Sequence, residues 1–220
     1  MSLAAIKKNL SPEFKERCRW TWYRVRHVVM PPRKPENPEG RVYVHLGCGW
    51  IQDERFINVD ARPWPHVHHV SAVERLPMFA DRSADLIYVC HCLEHISFLD
   101  VPTVLVEWKR VLKPGGWLRI SVPDFDNILA IYEDNDRKIE SIELTLMGGQ
   151  TYEFNFHKSL FNAARLTSLL EQAGYTEVRR WEHGTDEFAK FPDWSGKCVV
   201  VGEKRYPISL NLEARCPESA

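Results

Sequence analysis

The sequence predicts an α/β fold built on one doubly wound, mostly parallel sheet of seven strands. From Arg41 onward, short runs rich in apolar and β-branched residues alternate with segments whose apolar residues recur every three or four positions. This pattern is typical of strands that alternate with helices. A length of 220 residues with 44% hydrophobic residues suffices for one buried core. One early strand runs into a Gly-x-Gly turn, "VHLGCGW" at 44–50, and such sheets bind ligands at the carboxyl ends of their strands.

Residues 1–40 precede the sheet as a basic segment. They carry nine lysines and arginines against four glutamates, a balance of +5, which leaves about −6 on the remainder. Ser11 is a helix N-cap, Pro12 suits the first turn, and Pro31 must end the helix. The apolar residues of this helix share one face, formed by Phe14, Cys18, Trp22, Val25 and Val29. Residues 31–40 are rich in proline and are predicted to be a linker.

We expect the apolar face of this helix to dock on the main domain. Two further roles remain open for a basic, tryptophan-rich helix. It could cover a substrate cleft, or residues 11–30 could make a peripheral contact with an anionic membrane surface. The predicted divisions of the chain are therefore the helix and linker at 1–40, the α/β domain at 41–206 and a C-terminal tail at 207–220.

The elements of the α/β domain follow in order. Seven strands are predicted, at 42–46, 56–60, 67–70, 85–90, 117–122, 176–182 and 197–203. A helical stripe runs from Val101 to Leu112 and stops at a Lys-Pro-Gly-Gly turn. Two helices are predicted over 125–135 and 137–147, and a further helix around Leu166 ends at Gly174. The strand at 85–90 is apolar enough to be buried on both faces.

Charge and composition exclude several classes of function. The net charge is −1 at a pI near 6.8, and the acidic main domain has no basic stripe, which disfavours nucleic acid as a partner. No apolar run approaches the ~20 residues of a membrane span, and no signal-peptide core follows Met1, so we expect a cytoplasmic protein with reduced thiols. Among six scattered cysteines, only Cys90 and Cys92 are closely spaced. They lack a second pair, so no metal site is predicted.

The sequence around the glycine turn gives only weak support for a dinucleotide or a nucleoside triphosphate as its ligand. A dinucleotide fingerprint needs a third glycine, where this chain has Gln52, and an acidic residue about 20 positions on. Here Asp60 ends the next strand only 11 residues after Gly49. A phosphate-binding loop would need a Gly-Lys-Ser/Thr sequence, which the chain does not contain.

Four motifs in order resemble those of the class I S-adenosylmethionine-dependent methyltransferases. They are "VHLGCGW", "INVDA", "LPMFADRSADLIYVCHCLEHI" and "VEWKRVLKPGGWLRISVPD", within a match that covers roughly 41–203. The resemblance implies S-adenosylmethionine as cofactor, with Asp60 accepting hydrogen bonds from its ribose hydroxyls. It assigns cofactor contacts to Leu46, Gly47, Cys48, Gly49, Trp50, Asp60, Ala61, Val73, Glu74, Cys90 and His91.

The chain departs from the family pattern at two places. Only residues 50–56 separate the glycine turn from the second strand, so the family's usual first helix must shrink to a turn or a loop. Something else must then cover that side of the cofactor, and the N-terminal helix is a candidate. The family often has an aspartate for the adenine amino group where this chain has Ala72. Adenine is therefore expected to contact backbone groups near Val73 and Glu74.

The candidate catalytic residues are His91, His95 and His157. His91 and His95 lie with Glu94 in "CHCLEHI", directly after the fourth strand, and His157 lies in the segment that commonly forms the acceptor pocket of this fold. Most of the acceleration of methyl transfer comes from holding the reactants in line. A hydroxyl acceptor also needs a base, and a histidine has a pKa near working pH. We expect at least one of the three to assist deprotonation.

The acceptor is inferred from resemblance alone. The tight spacing of the first motifs, "CHCLEH" and "MGGQTYEFNFHKSLF" together resemble bacterial methyltransferases of surface-polysaccharide or lipopolysaccharide synthesis. This implies a sugar hydroxyl of a glycan or glycolipid precursor as the acceptor. A small metabolite is the alternative acceptor, and a non-catalytic scaffold that retains the fold is the alternative class. The sequence does not predict the oligomeric state.

Overall fold

The computed structural model describes residues 11–218, apart from the side chains of residues 12 and 13. Its central sheet has seven strands in the order β3-β2-β1-β4-β5-β9-β6. Their bounds are β1 Tyr43–Leu46, β2 Phe56–Asp60, β3 His69–Val70, β4 Ala84–Cys90, β5 Leu112–Pro123, β6 Thr176–Arg180 and β9 Ser209–Arg215. The first five strands pair in parallel, and β9 is antiparallel to both β5 and β6. The predicted doubly wound, mostly parallel sheet is confirmed.

Five α-helices flank this sheet in the described part of the chain. They are α1 Pro12–Val29, α2 Val101–Val111, α3 Phe125–Asp134, α4 Glu143–Met147 and α5 Ala163–Gln172. The helix predicted over 137–147 is shorter than expected, because a 3₁₀ turn, Ile139–Ser141, precedes α4. None of the described helices is long and apolar enough to cross a membrane.

The seventh strand of the sheet is not the predicted one. Residues 198–201 form β7, which pairs with β8, Lys204–Pro207, in a separate two-stranded hairpin. The strand β9 lies instead inside the segment predicted to be a C-terminal tail. Its residues Leu210, Leu212 and Ala214 are buried in the main core, while Glu213 is buried between the guanidinium groups of Arg119 and Arg179. The α/β domain therefore extends to residue 215.

Two apolar clusters cover the two faces of the sheet. On one face, α2 and α5 pack their buried residues, among them Trp108 and Leu170, against the strands. On the other face, Phe56 and Tyr88 pack against Phe191, Trp181 and Ile51. No helix forms between Trp50 and Phe56, as predicted. The segment 181–191, and not the N-terminal helix, supplies the apolar cover for this face.

The N-terminal helix α1 docks through the face opposite to the one predicted. Trp20 packs edge-on against Trp64 at 5.0 Å between ring centroids. The Arg26 guanidinium donates to Pro65 O (2.9 Å), and His27 Nε2 lies 2.8 Å from Val67 O. These polar and aromatic contacts fix the helix to the loop after β2.

The predicted apolar face of α1 is consequently exposed. The exposed fractions of its residues are 50% for Phe14, 59% for Trp22, 56% for Val25 and 70% for Val29, and Cys18 is exposed as well. The expectation that this face is buried against the domain is wrong. Periodicity identified the face, but the docking contacts depend on backbone carbonyls that α1 meets only in the folded chain.

Candidate cofactor and acceptor site

A cavity of about 540 Å³ opens at the carboxyl ends of β1, β2 and β4. This volume is within the range of small-molecule sites, roughly 300–1,000 Å³. The glycine turn and the end of β2 line one part of it, and the "CHCLEH" segment lines another. The loop that follows α4 contributes Tyr152, Phe154 and His157. The cavity therefore lies where a doubly wound sheet binds its ligands.

The two glycines of the turn are needed for different reasons. Both have positive φ, 62° at Gly47 and 55° at Gly49. A Cβ at Gly47 would lie 2.5 Å from Cys92 Sγ, so the neighbouring strand end already excludes a side chain there. A Cβ at Gly49 would meet no described protein atom within 4 Å. Because Gly49 lines the cavity, the open space beside it is space for a ligand.

Asp60 joins the turn to the end of β2. Its Oδ2 accepts a hydrogen bond from the Gly49 N–H (2.8 Å), and its Oδ1 accepts one from the Arg62 N–H (2.7 Å). Burial raises the pKa of this carboxyl group, and the two backbone donors oppose that effect. Each oxygen retains a lone pair for a further donor, so the carboxylate can accept hydrogen bonds from two vicinal hydroxyls.

Three histidines surround the buried side chain of Glu94. His91 Nδ1 lies 3.3 Å from Glu94 Oε1, and His157 Nε2 lies 3.9 Å from the same oxygen. The rings of His95 and His157 meet edge to face with their centroids 4.9 Å apart. The loop that carries His157 is fixed here because Glu94 O accepts hydrogen bonds from the backbone N–H groups of Lys158 and Ser159. All four side chains line the cavity.

Burial controls the electrostatics of this cluster. The Glu94 side chain is 1% exposed, and neither of its oxygens has a hydrogen-bond partner among the described residues. Burial raises its pKa to about 8. Burial also lowers the pKa of His91 to about 3 and that of His157 to about 4, and it lowers the pKa of His95. The three imidazoles are therefore neutral near pH 7.

Hydrogen bonds assign the tautomers of two of these histidines. His95 Nδ1 lies 3.2 Å from the Phe156 carbonyl oxygen. A carbonyl can only accept, so Nδ1 carries the proton and Nε2 keeps its lone pair. His91 Nε2 lies 2.7 Å from Ser209 Oγ, whose hydroxyl donates to Trp194 O. His91 Nε2 is therefore the protonated nitrogen, and its Nδ1 lone pair faces Glu94.

His91 adopts a strained backbone conformation. Its φ of 49° is unusual for a residue other than glycine. The conformation occurs directly after β4, where the chain turns into the 3₁₀ segment Leu93–His95. Strain of this kind is common at functional sites.

Arg62 connects α1 to the side of the cavity that is formed by the loop after α4. Its guanidinium lies over the Trp20 ring at 4.3 Å from the centroid and over the Tyr152 ring at 4.2 Å. It also donates to Glu16 Oε1 (3.0 Å). Arg62 and Tyr152 both line the cavity. The N-terminal helix is thus in contact with the cavity rim, although it does not cover the shortened loop.

Two sequence comparisons agree with this geometry. Residues 53–120 match the family model of a methyltransferase domain. A probable S-adenosylmethionine-dependent methyltransferase of Mycolicibacterium smegmatis is 30% identical over 174 residues. The match covers 70% of this chain and 59% of that relative, so the chain spans less than two thirds of the relative's length.

Solved structures share the fold. A SAM-dependent methyltransferase from Thermotoga maritima superimposes with a TM-score of 0.53 at 19% identity, over 92% of this chain and 95% of that one. A Burkholderia thailandensis 1,6-didemethyltoxoflavin-N1-methyltransferase, bound to its substrate and S-adenosylhomocysteine, gives 0.52 at 17% identity, over 89% and 76%. The chain therefore carries a methyltransferase domain with the fold of the class I S-adenosylmethionine-dependent methyltransferases.

The cofactor of such a domain is S-adenosylmethionine, and the cavity of this methyltransferase domain fits it. The open space beside Gly49 and the free lone pairs of Asp60 are the two features that a nucleoside with a ribose diol requires. Ten of the eleven predicted cofactor residues line the cavity, namely Gly47, Cys48, Gly49, Trp50, Asp60, Ala61, Val73, Glu74, Cys90 and His91. Leu46 does not, because its side chain is fully buried in the main core.

Several cavity residues of the methyltransferase domain escaped prediction. Arg62 and Trp194 line the cavity but lie outside the recognised motifs, and Tyr152 lines it from the segment at 147–161, in which only His157 was singled out. Only the aromatic character of "TYEFNF" hinted at Tyr152. At the predicted adenine end, Val73 O already accepts the Trp108 indole N–H (2.8 Å). That hydrogen bond holds in place the backbone at Val73, which was expected to contact adenine.

Proposed function

We propose that the protein transfers a methyl group from S-adenosylmethionine to a hydroxyl of a sugar in a glycan or glycolipid precursor. The observation that supports a hydroxyl acceptor is the cluster of His91, His95 and His157 around buried Glu94. A hydroxyl must lose its proton as it is methylated, and neutral imidazoles beside the cavity are the groups suited to assist that loss.

The residues of the chain have separate parts in this reaction. When bound, S-adenosylmethionine supplies an electrophilic methyl group on a sulfonium sulfur. Asp60 and the glycine turn hold the nucleoside. The acceptor oxygen forms its bond to the methyl carbon as the carbon–sulfur bond breaks, which leaves S-adenosylhomocysteine, and the hydroxyl proton leaves towards the histidine cluster. His95 is the best placed of the three to accept the proton. The Phe156 carbonyl accepts a hydrogen bond from its Nδ1–H, which leaves the lone pair on Nε2.

We also propose that the enzyme works at the cytoplasmic face of a membrane, where a lipid-linked precursor would be presented. The exposed face of α1 carries Phe14, Trp22, Val25 and Val29, and the same helix holds Lys15, Arg19 and Arg24. An apolar face on a basic helix suits an anionic lipid surface. The cavity rim is apolar too, with Leu144, Tyr152 and Phe154 exposed. Arg62 links that rim to α1.

A small-metabolite acceptor is the second candidate. The structural neighbour from Burkholderia holds 1,6-didemethyltoxoflavin and S-adenosylhomocysteine on the same fold, and the cavity of about 540 Å³ is of small-molecule size. A non-catalytic scaffold is disfavoured, since the open space at Gly49 and the free lone pairs of Asp60 would have no purpose without a cofactor.

The test is an acceptor search with isotope-labelled S-adenosylmethionine. Purified protein is incubated with separate fractions of a bacterial extract, namely lipid-linked sugars, free glycans, nucleic acids and small metabolites, and the labelled product is identified by mass spectrometry. Label in an O-methyl sugar supports the proposal. Label in a nitrogen heterocycle or a carboxylate identifies the second candidate and removes the sugar assignment.

The histidine cluster is tested separately. His95→Ala and His157→Ala should each lower turnover at least about a hundredfold, within the 10²–10⁴ range of acid–base assistance. Affinity for S-adenosylhomocysteine should stay within a few fold. His183→Ala is the control, because His183 is exposed and bonds to Ser195 away from the cluster. Normal turnover in both cluster variants would mean that transfer depends on positioning alone.

A further inference from the structure

We propose that Glu94, His95 and His157 bind a divalent transition-metal ion. One potential ligand atom from each of these residues lies within 4.8 Å of the other two. Two imidazoles and one carboxylate are a ligand set that favours Zn²⁺, Co²⁺, Fe²⁺ or Mn²⁺ over Mg²⁺ and Ca²⁺. In a tetrahedral zinc site, ligand atoms are about 3.4 Å apart, so side-chain shifts of about 1 Å would complete the arrangement.

The buried carboxylate is an independent indication of a bound cation. The side chain of Glu94 is almost fully buried, yet both of its oxygens lack a hydrogen-bond partner within residues 11–218. Its Oε1 points between His91 Nδ1 (3.3 Å) and His157 Nε2 (3.9 Å). A buried carboxyl group with neither oxygen hydrogen-bonded is costly in either protonation state unless a metal compensates it. A divalent cation at this position would supply that compensation.

The neighbouring contacts orient the ligands. The Phe156 carbonyl accepts from His95 Nδ1–H, which leaves Nε2 to coordinate. Metal-binding histidines commonly donate their other N–H in this way. The backbone bonds from Lys158 and Ser159 to Glu94 O hold His157 against the 3₁₀ segment. His91 lies on the other side of Glu94, with its Nδ1 3.3 Å from Oε1.

The site opens into the cavity, so the metal would have free coordination positions. All three ligand residues line the cavity. Three protein ligands and an open position are typical of catalytic rather than structural metal sites. This step rests on the proposed function: the acceptor hydroxyl would coordinate through its oxygen, and coordination would lower its pKa so that its proton passes to solvent. With the metal bound, His95 and His157 would act as ligands and not as bases. The prediction from sequence that the chain has no metal site considered only Cys90 and Cys92, whose thiols are not among the ligands.

The inference is tested by metal binding alone, without cofactor or acceptor. Tag-free protein is stripped with a chelator and titrated with Co²⁺, and visible absorption is followed before competition with Zn²⁺. We expect one Co²⁺ per chain, with visible bands of a four- or five-coordinate ion that Zn²⁺ abolishes. Mg²⁺ at the same concentration should not compete.

Variants identify the ligands. His157→Ala and His95→Ala should each weaken Zn²⁺ binding about a hundredfold or more, whereas His183→Ala should bind as the wild type does. Glu94→Gln keeps the side-chain volume and removes the charge, so it is the variant of choice if an alanine variant does not fold. Added Zn²⁺ should raise the melting temperature of the wild type and not that of Glu94→Gln.

Two outcomes would overturn the inference. One is wild-type protein that binds Co²⁺ and Zn²⁺ no more tightly than the folded Glu94→Gln variant. The other is folded cluster variants that keep the wild-type stoichiometry and affinity, which would place any metal elsewhere. Neither outcome depends on methyl transfer. A protein that binds no metal but still methylates a sugar would fail these binding tests and leave the proposed function standing, so the two failures are distinguishable.

Discussion

At the residue scale, Asp60 has two tasks, because its carboxylate holds the glycine turn and also faces the cavity. Asp60→Ala should therefore weaken binding of S-adenosylhomocysteine at least tenfold, since each hydrogen bond to a charged group contributes ~1.5–3 kcal/mol. Calorimetry measures the affinity, and Asp81→Ala is the control, a largely exposed aspartate paired with Arg110. Unchanged affinity in Asp60→Ala would place the ribose elsewhere in the cavity.

His45 gives the fold a dependence on pH that is separate from the proposed chemistry. Its ring is buried against Phe56 and Tyr88, and burial lowers its pKa to about 4. The unfolded chain takes up this proton near pH 6.5 and the folded one does not. The stabilisation is thus complete above pH 6.5 and is lost as the pH falls towards 4, by about 2 kcal/mol between pH 7 and 4.5.

The comparison of wild type with His45→Leu tests this assignment. The free energy of unfolding is measured by denaturant titration at several pH values between 7 and 4.5. The wild type should lose about 2 kcal/mol more than the variant over this range. Parallel curves would show that His45 is protonated in the folded protein at the same pH as in the unfolded one.

Residue-level prediction places residues at the cavity where the determinant is local. The turn glycines and Asp60 follow from motif spacing along the chain, and ten of the eleven predicted cofactor residues line the cavity. Glu94 was noticed beside the histidines but not recognised as their centre. Residues 156–159, which lie some sixty positions further along the chain, pack beside Glu94. They leave both of its carboxyl oxygens without a hydrogen bond. No local pattern contains that information.

At the scale of elements, α1 shows what periodicity can and cannot determine. The apolar spacing identified the helix and its face, and the structure has a helix with its bounds at Pro12 and Val29. The docking direction depends on Trp64 and on the carbonyls of Pro65 and Val67, which the helix spacing does not reveal. The exposed face is the basis of the proposed membrane contact.

Replacing two residues of that face tests the contact. Trp22→Glu with Val25→Glu should lower binding to anionic vesicles at least tenfold, because large apolar side chains contribute ~1.5–3 kcal/mol each when buried in the interface. Co-sedimentation measures the bound fraction. The matched control adds the same two charges at Ile139 and Val200, which are exposed on other elements. Equal binding of the two double variants would remove α1 as the membrane contact.

At the scale of the whole molecule, the sheet depends on its C-terminal strand. β9 pairs with β5 over seven residues and also with β6, and its apolar side chains are fully in the core. This strand was not predicted for two reasons. Polar residues alternate with its apolar residues, and the seven strands expected for the sheet had already been assigned to segments before it. Its polar residues have distant partners, as where Asn211 Oδ1 accepts a hydrogen bond from the buried hydroxyl of Ser121, and a linear pattern does not show such pairs.

Truncation tests this dependence. A chain ending at residue 207 should not fold, because β6 would lose its neighbour in the sheet and the edge of β5 would be unpaired. A chain ending at residue 217 should melt cooperatively, close to the wild type. Circular dichroism and thermal melting of both chains provide the measurement. Cooperative melting of the shorter chain at the wild-type temperature would show that β9 is dispensable.

The position of β9 also determines when the protein can acquire its fold during synthesis. Trp117 pairs with Arg215, so a strand from the middle of the chain waits for one made near its end. The parallel strands β1 to β5 can associate while translation continues, but β6 has no sheet partner until residues 209–215 have left the ribosome. In that interval the nascent chain presents the open backbone of β5 to its surroundings. The unpaired edge of β5 is therefore open to wrong pairing until β9 is available to cover it.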